Sequence, residues 1–228
     1  MFAPSAPVGI PLRWRREGSL FKERARSVQR LSLFVDTVTL AIAYLGALLL
    51  RTYHESVPGH HTQIAIAMDQ DVPAFRKLVR FTGFVEGWAL YAERLAQELG
   101  WYQGDPYGDL GRLQYEALRA ARLVMDTGIH SLGWSFEQAT QFNRDNVGSA
   151  LGSSQAAAAR YSVWPGQATA YLIGMLQILD ERQRAMDALG EAFDLKAFHR
   201  ALLSNGAVPL TLLDDVVDRY IAEARAAP

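Results

Sequence analysis

The chain has 228 residues and a formal charge of -1; half of its residues are apolar and 21% are charged. That balance excludes a disordered polymer and a nucleic-acid binder that works by overall basic charge. The absence of cysteine excludes disulfides, iron–sulfur clusters, thiolate zinc sites and a cysteine nucleophile. Any metal site must use histidine and carboxylate. Of the five histidines, three fall between positions 54 and 61.

Residues 1–30 open with small residues and proline, followed by Arg13, Arg15, Arg16, Lys22, Arg24, Arg26 and Arg30. This reads as a basic, solvated arm, and residues 31–228 as one helical portion. Leu31 to Leu50 is the most apolar stretch. Its core, from Val38, falls short of the roughly 20 apolar residues that span a bilayer, so a buried helix is expected and a membrane partner is not. Strands near Leu33 to Val38 are permitted but not demanded. From Thr52 onward the periodicity is helical, and the fold class expected is all-α.

Gln63 to Asp69 continues one helix, and Asp71-Val72-Pro73 opens the next with a capping residue ahead of proline. Phe84 to Leu99 is helical and stops at Gly100. Asp105-Pro106-Tyr107-Gly108 reads as a turn, and Leu110 to Met125 as a helix broken by Gly128 and Gly133. Ser135 is placed as the N-cap of the helix that follows. Ala156 to Arg160, Ala168 to Ala188, Asp194 to Ser204 and Leu210 to Ala226 are helical, with a turn at Trp164-Pro165-Gly166. No internal repeat is present.

The strongest chemical signal is His54-Glu55-Ser56-Val57-Pro58-Gly59-His60-His61-Thr62-Gln63. Two neutral imidazoles can hold a zinc ion, and a glutamate beside them can take a proton from an attacking water. In the common HExxH spelling the histidines lie one turn apart. Here the second is displaced to His60 or His61. In a regular helix, positions six or seven apart rise about 9–10.5 Å. Two such imidazoles cannot reach one ion at about 2.0–2.1 Å, so the helix must be broken between them. Pro58 and Gly59 are the residues that permit a break.

The third ligand expected is Glu86, in Phe84-Val85-Glu86-Gly87-Trp88-Ala89-Leu90-Tyr91-Ala92-Glu93. A carboxylate on an apolar helix face is costly unless it is paired or bound to metal. Glu93, two turns on, is expected behind the ligands, bonded to a histidine.

These segments resemble the bacterial family known as domain of unknown function 885, grouped with zincin-like metallopeptidases of the gluzincin type. The resemblance continues through Asp126-Thr127-Gly128-Ile129-His130, Arg160-Tyr161, Trp164-Pro165-Gly166-Gln167-Ala168 and Gly206-Ala207-Val208-Pro209-Leu210. It covers roughly residues 52–228 and implies the C-terminal part of a larger catalytic domain. The Gly-His step is also similar to angiotensin-converting enzyme and dipeptidyl-peptidase III. Matching on Gly59 favours His60 as ligand; matching on Gln63 favours His61.

The resemblance implies a zinc peptidase acting on a short peptide or small amide. His54, His60 or His61, and Glu86 hold one zinc ion, and Glu55 is the general base. His130 and Tyr161 are the groups expected to stabilise the oxyanion, with Asp126 orienting His130. Arg160 is expected to hold a substrate carboxylate, and Gln167 and Tyr171 to line the cleft. His199 is taken as structural. The alternative is a non-catalytic fragment or pseudoenzyme that keeps the metal motif. No signal peptide is visible, which makes the cytoplasm the default compartment, while the resemblance allows the periplasm or secretion.

Overall fold

The structure, a computed structural model, describes residues 50–226. The basic arm, the possible strands and all but the last residue of the apolar stretch lie outside them. The described residues contain helices and no strand, as the periodicity predicts. Residues 50–55 form α1. There follow α2 (His60–Asp69), α3 (Ala74–Leu78), α4 (Thr82–Glu98), α5 (Pro106–Ser131), α6 (Phe136–Val147), α7 (Leu151–Val163), α8 (Ala170–Leu189), α9 (Leu195–Leu203) and α10 (Leu213–Ala226). No described helix is long and apolar enough to cross a membrane.

Helix α4 lies at the centre of the main core of the described residues. Phe84, Trp88, Leu90, Tyr91 and Leu95 on it are buried with Met175 and Ile178 of α8, Phe198 and Leu202 of α9, and Val217 of α10. A helix apolar on nearly every side must be enclosed on nearly every side. The α4–α8 contact is unusually close because glycines face each other. A Cβ on Gly174 would lie only 1.8 Å from the Gly83 carbonyl oxygen and 2.8 Å from the Gly87 Cα. The two backbones therefore touch, which fixes the depth of the neighbouring Glu86.

A second core joins Met125 of α5, Ala139 of α6, and Ala158 and Tyr161 of α7 to Ala168. Asp105 is not part of a free turn. It caps α5 by accepting from the Gly108 amide at 2.8 Å, with Pro106 in the first turn. Gly128 does not break α5, which runs on to Ser131. It is a packing glycine, because a Cβ there would meet the Trp134 ring at 2.5 Å. Ser135 caps α6 in a reciprocal capping box with Gln138. At α3 the N-cap position falls to Pro73 itself, and no side chain makes a capping bond.

His199 has the structural place expected of it. The Tyr91 hydroxyl and His199 Nε2 are hydrogen-bonded at 2.8 Å, and the Trp88 ring stands edge-on to the imidazole. Burial, with Arg182 adding to it, pushes His199 down to about 4. The folded chain thus holds the imidazole neutral while the unfolded chain protonates it near 6.5. The stabilisation is whole above pH 6.5 and is lost as the pH falls from there to about 4. Denaturation across that window should show a decline of up to about 3 kcal/mol. His199→Gln should flatten it; an unchanged profile would mean that the imidazole titrates normally.

Candidate metal centre

Helix α1 ends with His54 and Glu55, and the chain then leaves the helical path over residues 56–59. The Val57–Pro58 peptide is cis. Trp88 of α4 donates its indole N–H to the Pro58 carbonyl at 3.0 Å and anchors the loop. Gly59 returns the chain onto the last turn of α1. A Cβ at Gly59 would lie 1.8 Å from the His54 carbonyl oxygen, so only glycine allows this contact. Helix α2 starts at the next residue. The histidine rings consequently lie 4.8 Å apart at 85°, far closer than an unbroken helix would place them.

Glu86 meets both rings. Its Oε2 is 3.4 Å from His60 Nε2 and 3.7 Å from His54 Nε2. One ligand atom from each of His54, His60 and Glu86 falls within 4.8 Å of the others. Donors about 2.0–2.1 Å from a tetrahedral ion are separated by about 3.3 Å; the two Glu86 distances match this, and the wider separation within the group would have to close for zinc to bind. His61 is exposed and stands outside this group, which leaves His60 as the second imidazole of the cluster.

Glu93 is buried behind the cluster. Its Oε1 accepts from His54 Nδ1 at 2.7 Å and from Arg119 Nη2 at 3.0 Å. The proton held on Nδ1 leaves Nε2 as a lone pair facing Glu86 and His60. The electrostatics agree. Burial raises the Glu86 carboxyl, but His54 and His60 outweigh it and hold the group down at about 2. Burial lowers His54, and Glu86 and Glu93 more than reverse this, leaving it raised. Positive charge is stabilised at this point in the fold.

Beside the cluster opens a cavity of about 350 Å³, lined by Leu50, Arg51, His54, Glu55, Glu93, Tyr115, Arg119, Arg122, Arg160 and Tyr171. Glu55 is exposed and on its wall. The Tyr171 ring stacks against His54 at 6.4 Å between centres. Gln167 bridges two expected substrate groups, accepting from Arg160 at 3.0 Å and donating to the Tyr171 hydroxyl at 3.2 Å.

His130 and Tyr161 are not brought to this cavity. His130 lies in the last turn of α5 rather than a loop, and its Nε2 is bonded to the Tyr161 carbonyl oxygen at 2.9 Å. Tyr161 is 2% exposed, within the second core. Asp126 does not orient His130: both its oxygens accept from the Gly166 amide, at 3.1 and 3.0 Å, and shape the turn before α8. Arg119 and Arg122 are absent from the sequence expectations. Their only signal is two arginines three apart in an alanine- and leucine-rich helix, a pattern that usually marks a solvated face.

Residues 46–217 match a family model described as a bacterial protein of unknown function, DUF885. No curated protein matches the chain. Among solved structures, a "putative lipoprotein" from Colwellia psychrerythraea is similar at 47% identity and TM-score 0.75, over 76% of this chain and 30% of that one. A "putative lipoprotein of unknown function" from Shewanella oneidensis is similar at 29% identity and TM-score 0.70, over 75% of this chain and 31% of that one. The chain thus spans about a third or less of the length of these two proteins.

Proposed function

Within the bacterial DUF885 family, to which this chain belongs, we propose that it is the metal-binding catalytic portion of a zinc-dependent peptidase of the gluzincin kind. The observation that carries this reading is the convergence of His54, His60 and Glu86 beside a cavity that holds Glu55. His54, His60 and Glu86 would hold the ion. When bound, zinc would polarise a carbonyl oxygen and make a water acidic enough to attack at neutral pH. Glu55, on the cavity wall, takes the proton of the attacking water and passes it to the leaving amine. Glu93 keeps the His54 ring oriented and its Nε2 free, and Arg119 holds Glu93 in place. Tyr171, rather than His130 or Tyr161, is the phenol whose ring stacks against His54, and on this reading it would donate to a developing oxyanion. Arg160 lines the substrate side, and Gln167, which is not in the lining, is bonded to Arg160 and to the Tyr171 hydroxyl. A short peptide or small amide is the substrate class, and no nucleic acid is involved. Nickel, cobalt or manganese would suit the same donors.

Both similar proteins are described as lipoproteins, which gives no support to a cytoplasmic default; an exported location is the compartment we favour. The second reading is a chain that keeps the metal set without hydrolysing anything by itself, and it rests on His130 and Tyr161, the expected oxyanion groups, being absent from the cavity lining.

Metal analysis of the purified chain should find about one zinc per chain, lost in His54→Ala. Glu55→Gln should keep the zinc while hydrolysis falls by about 10²–10⁴-fold. Zinc bound with no hydrolysis of a mixed peptide pool by the unaltered chain would favour the second reading. A folded chain without zinc would overturn both.

A further inference from the structure

The lining of the cavity beside the metal cluster is unbalanced in charge. Four arginines, Arg51, Arg119, Arg122 and Arg160, share it with two carboxylates, Glu55 and Glu93. Glu93 is already engaged by His54 and Arg119. Glu55 belongs to the proton-transfer chemistry. Arg122 has no hydrogen-bond or carboxylate partner among the described residues, and its Nε is buried without one. Its guanidinium instead lies over two phenol rings, 4.6 Å from the centre of Tyr171 and 5.9 Å from that of Tyr161. Arg160 is bonded to the neutral Gln167 and lies 5.7 Å from the Trp164 ring, again with no carboxylate partner among the described residues.

The partly buried Arg122 guanidinium is costly without an anion, and the planar fork of donors that it shares with the exposed Arg160 is matched best by a carboxylate. Stacking on aromatic rings leaves the edge donors of a guanidinium free to bind in plane. Aromatic seats therefore hold Arg122 and Arg160 in orientation without neutralising them.

From this arrangement we infer that Arg122 and Arg160 form a carboxylate-binding subsite, and that the substrate is a peptide bearing a free carboxylate within about three residues of the bond cleaved. The reach follows from Tyr171. Its ring centre is 4.6 Å from the Arg122 guanidinium and 6.4 Å from the His54 ring centre, so the guanidinium lies no more than about 11 Å from His54. An extended chain covers about 3.3–3.6 Å per residue, so that span holds at most three. The inference rests on the peptidase reading for its word "substrate", but the binding of the carboxylate does not require the metal or turnover.

The carboxylate has two possible sources, a chain terminus or an acidic side chain. Calorimetric titration of the full chain, Glu55→Gln to prevent turnover, separates them with three probes. These are N-acetyl-Ala-Ala-Ala, its C-terminal amide, and N-acetyl-Ala-Glu-Ala-amide. At least one acid should bind 10-fold or more tighter than the neutral amide, with and without added zinc. The tighter acid identifies the source. Arg122→Gln should abolish the preference while the zinc content stays unchanged, and Arg160→Gln, at an exposed position that tolerates the change, should reduce it. Equal binding of all three probes, no binding of any, or a preference that survives Arg122→Gln would overturn the subsite. A zinc-free chain that still prefers the acid would keep the subsite and remove the peptidase reading, so the two fail separately.

Discussion

If the chain binds zinc as proposed, replacing Gly59 by alanine should abolish that binding. The added methyl would sit 1.8 Å from the His54 carbonyl oxygen, 2.4 Å from the His54 carbonyl carbon and 2.4 Å from the Tyr53 carbonyl oxygen. All three are backbone atoms, so no rotamer change relieves the overlap. The φ of Gly59 is -75°, which any residue adopts; the demand is for space, not for a left-handed backbone. The chain between His54 and His60 must therefore move apart by an ångström or more. Metal distances tolerate only about 0.2 Å, so affinity should fall by at least about 100-fold. Because α2 lies at the edge of the core and buries only Gln63, helical content should be kept. Zinc titration beside far-ultraviolet circular dichroism checks this. A folded Gly59→Ala chain with undiminished affinity would mean that the two histidines do not share one ion.

Glu93→Ala should damage both stability and metal binding. Glu93 is 2% exposed and Arg119 6%. Burial already lowers the Arg119 guanidinium despite the attraction of Glu93, a sign of how poorly that site tolerates an uncompensated charge. Removing one partner of a buried pair typically costs about 3–5 kcal/mol. Domains of this kind are stable by about 5–15 kcal/mol, so the midpoint of denaturation should shift far enough to measure easily. Loss of the bond to His54 Nδ1 should weaken zinc a further 10–100-fold or so. Glu93→Gln keeps an acceptor for His54 and loses the charge. It should recover part of the metal affinity and little of the stability. Equal loss of both properties in the two variants would show that orientation and charge are not separable here.

The two variants act on the same device from opposite sides. Gly59 brings His60 onto His54 along the chain, and Glu93 turns the His54 ring from behind. Glu86 is carried to them on α4, whose depth the Gly83, Gly87 and Gly174 contacts with α8 determine. A site assembled from a broken helix and a buried one needs each of these contacts, because none of the three proposed ligands shares a continuous helical turn with another.

Local features of the sequence were sufficient for much of this. The all-α class, the stop at Gly100, the Ser135 cap and the placing of Glu93 behind Glu86 all follow from periods of three and four residues and from capping chemistry. The need for a break between His54 and its partner followed from helical rise alone. Where that reasoning went astray, a distant residue had intervened. Gly128 reads as a breaker until Trp134 is seen to fill the space above it, and His130 and Tyr161 read as site residues until they are found bonded to each other outside the cavity. The choice of His60 over His61 was open in the sequence because adjacent residues differ by about 100° around a helix, and the starting angle of α2 is not written in either. That angle is decided by Gly59 against the His54 carbonyl and by the Trp88 bond to Pro58. Arg122 was invisible for the same reason. An arginine on a helix is ordinary until the tertiary structure places aromatic rings beneath it and, among the described residues, no carboxylate beside it.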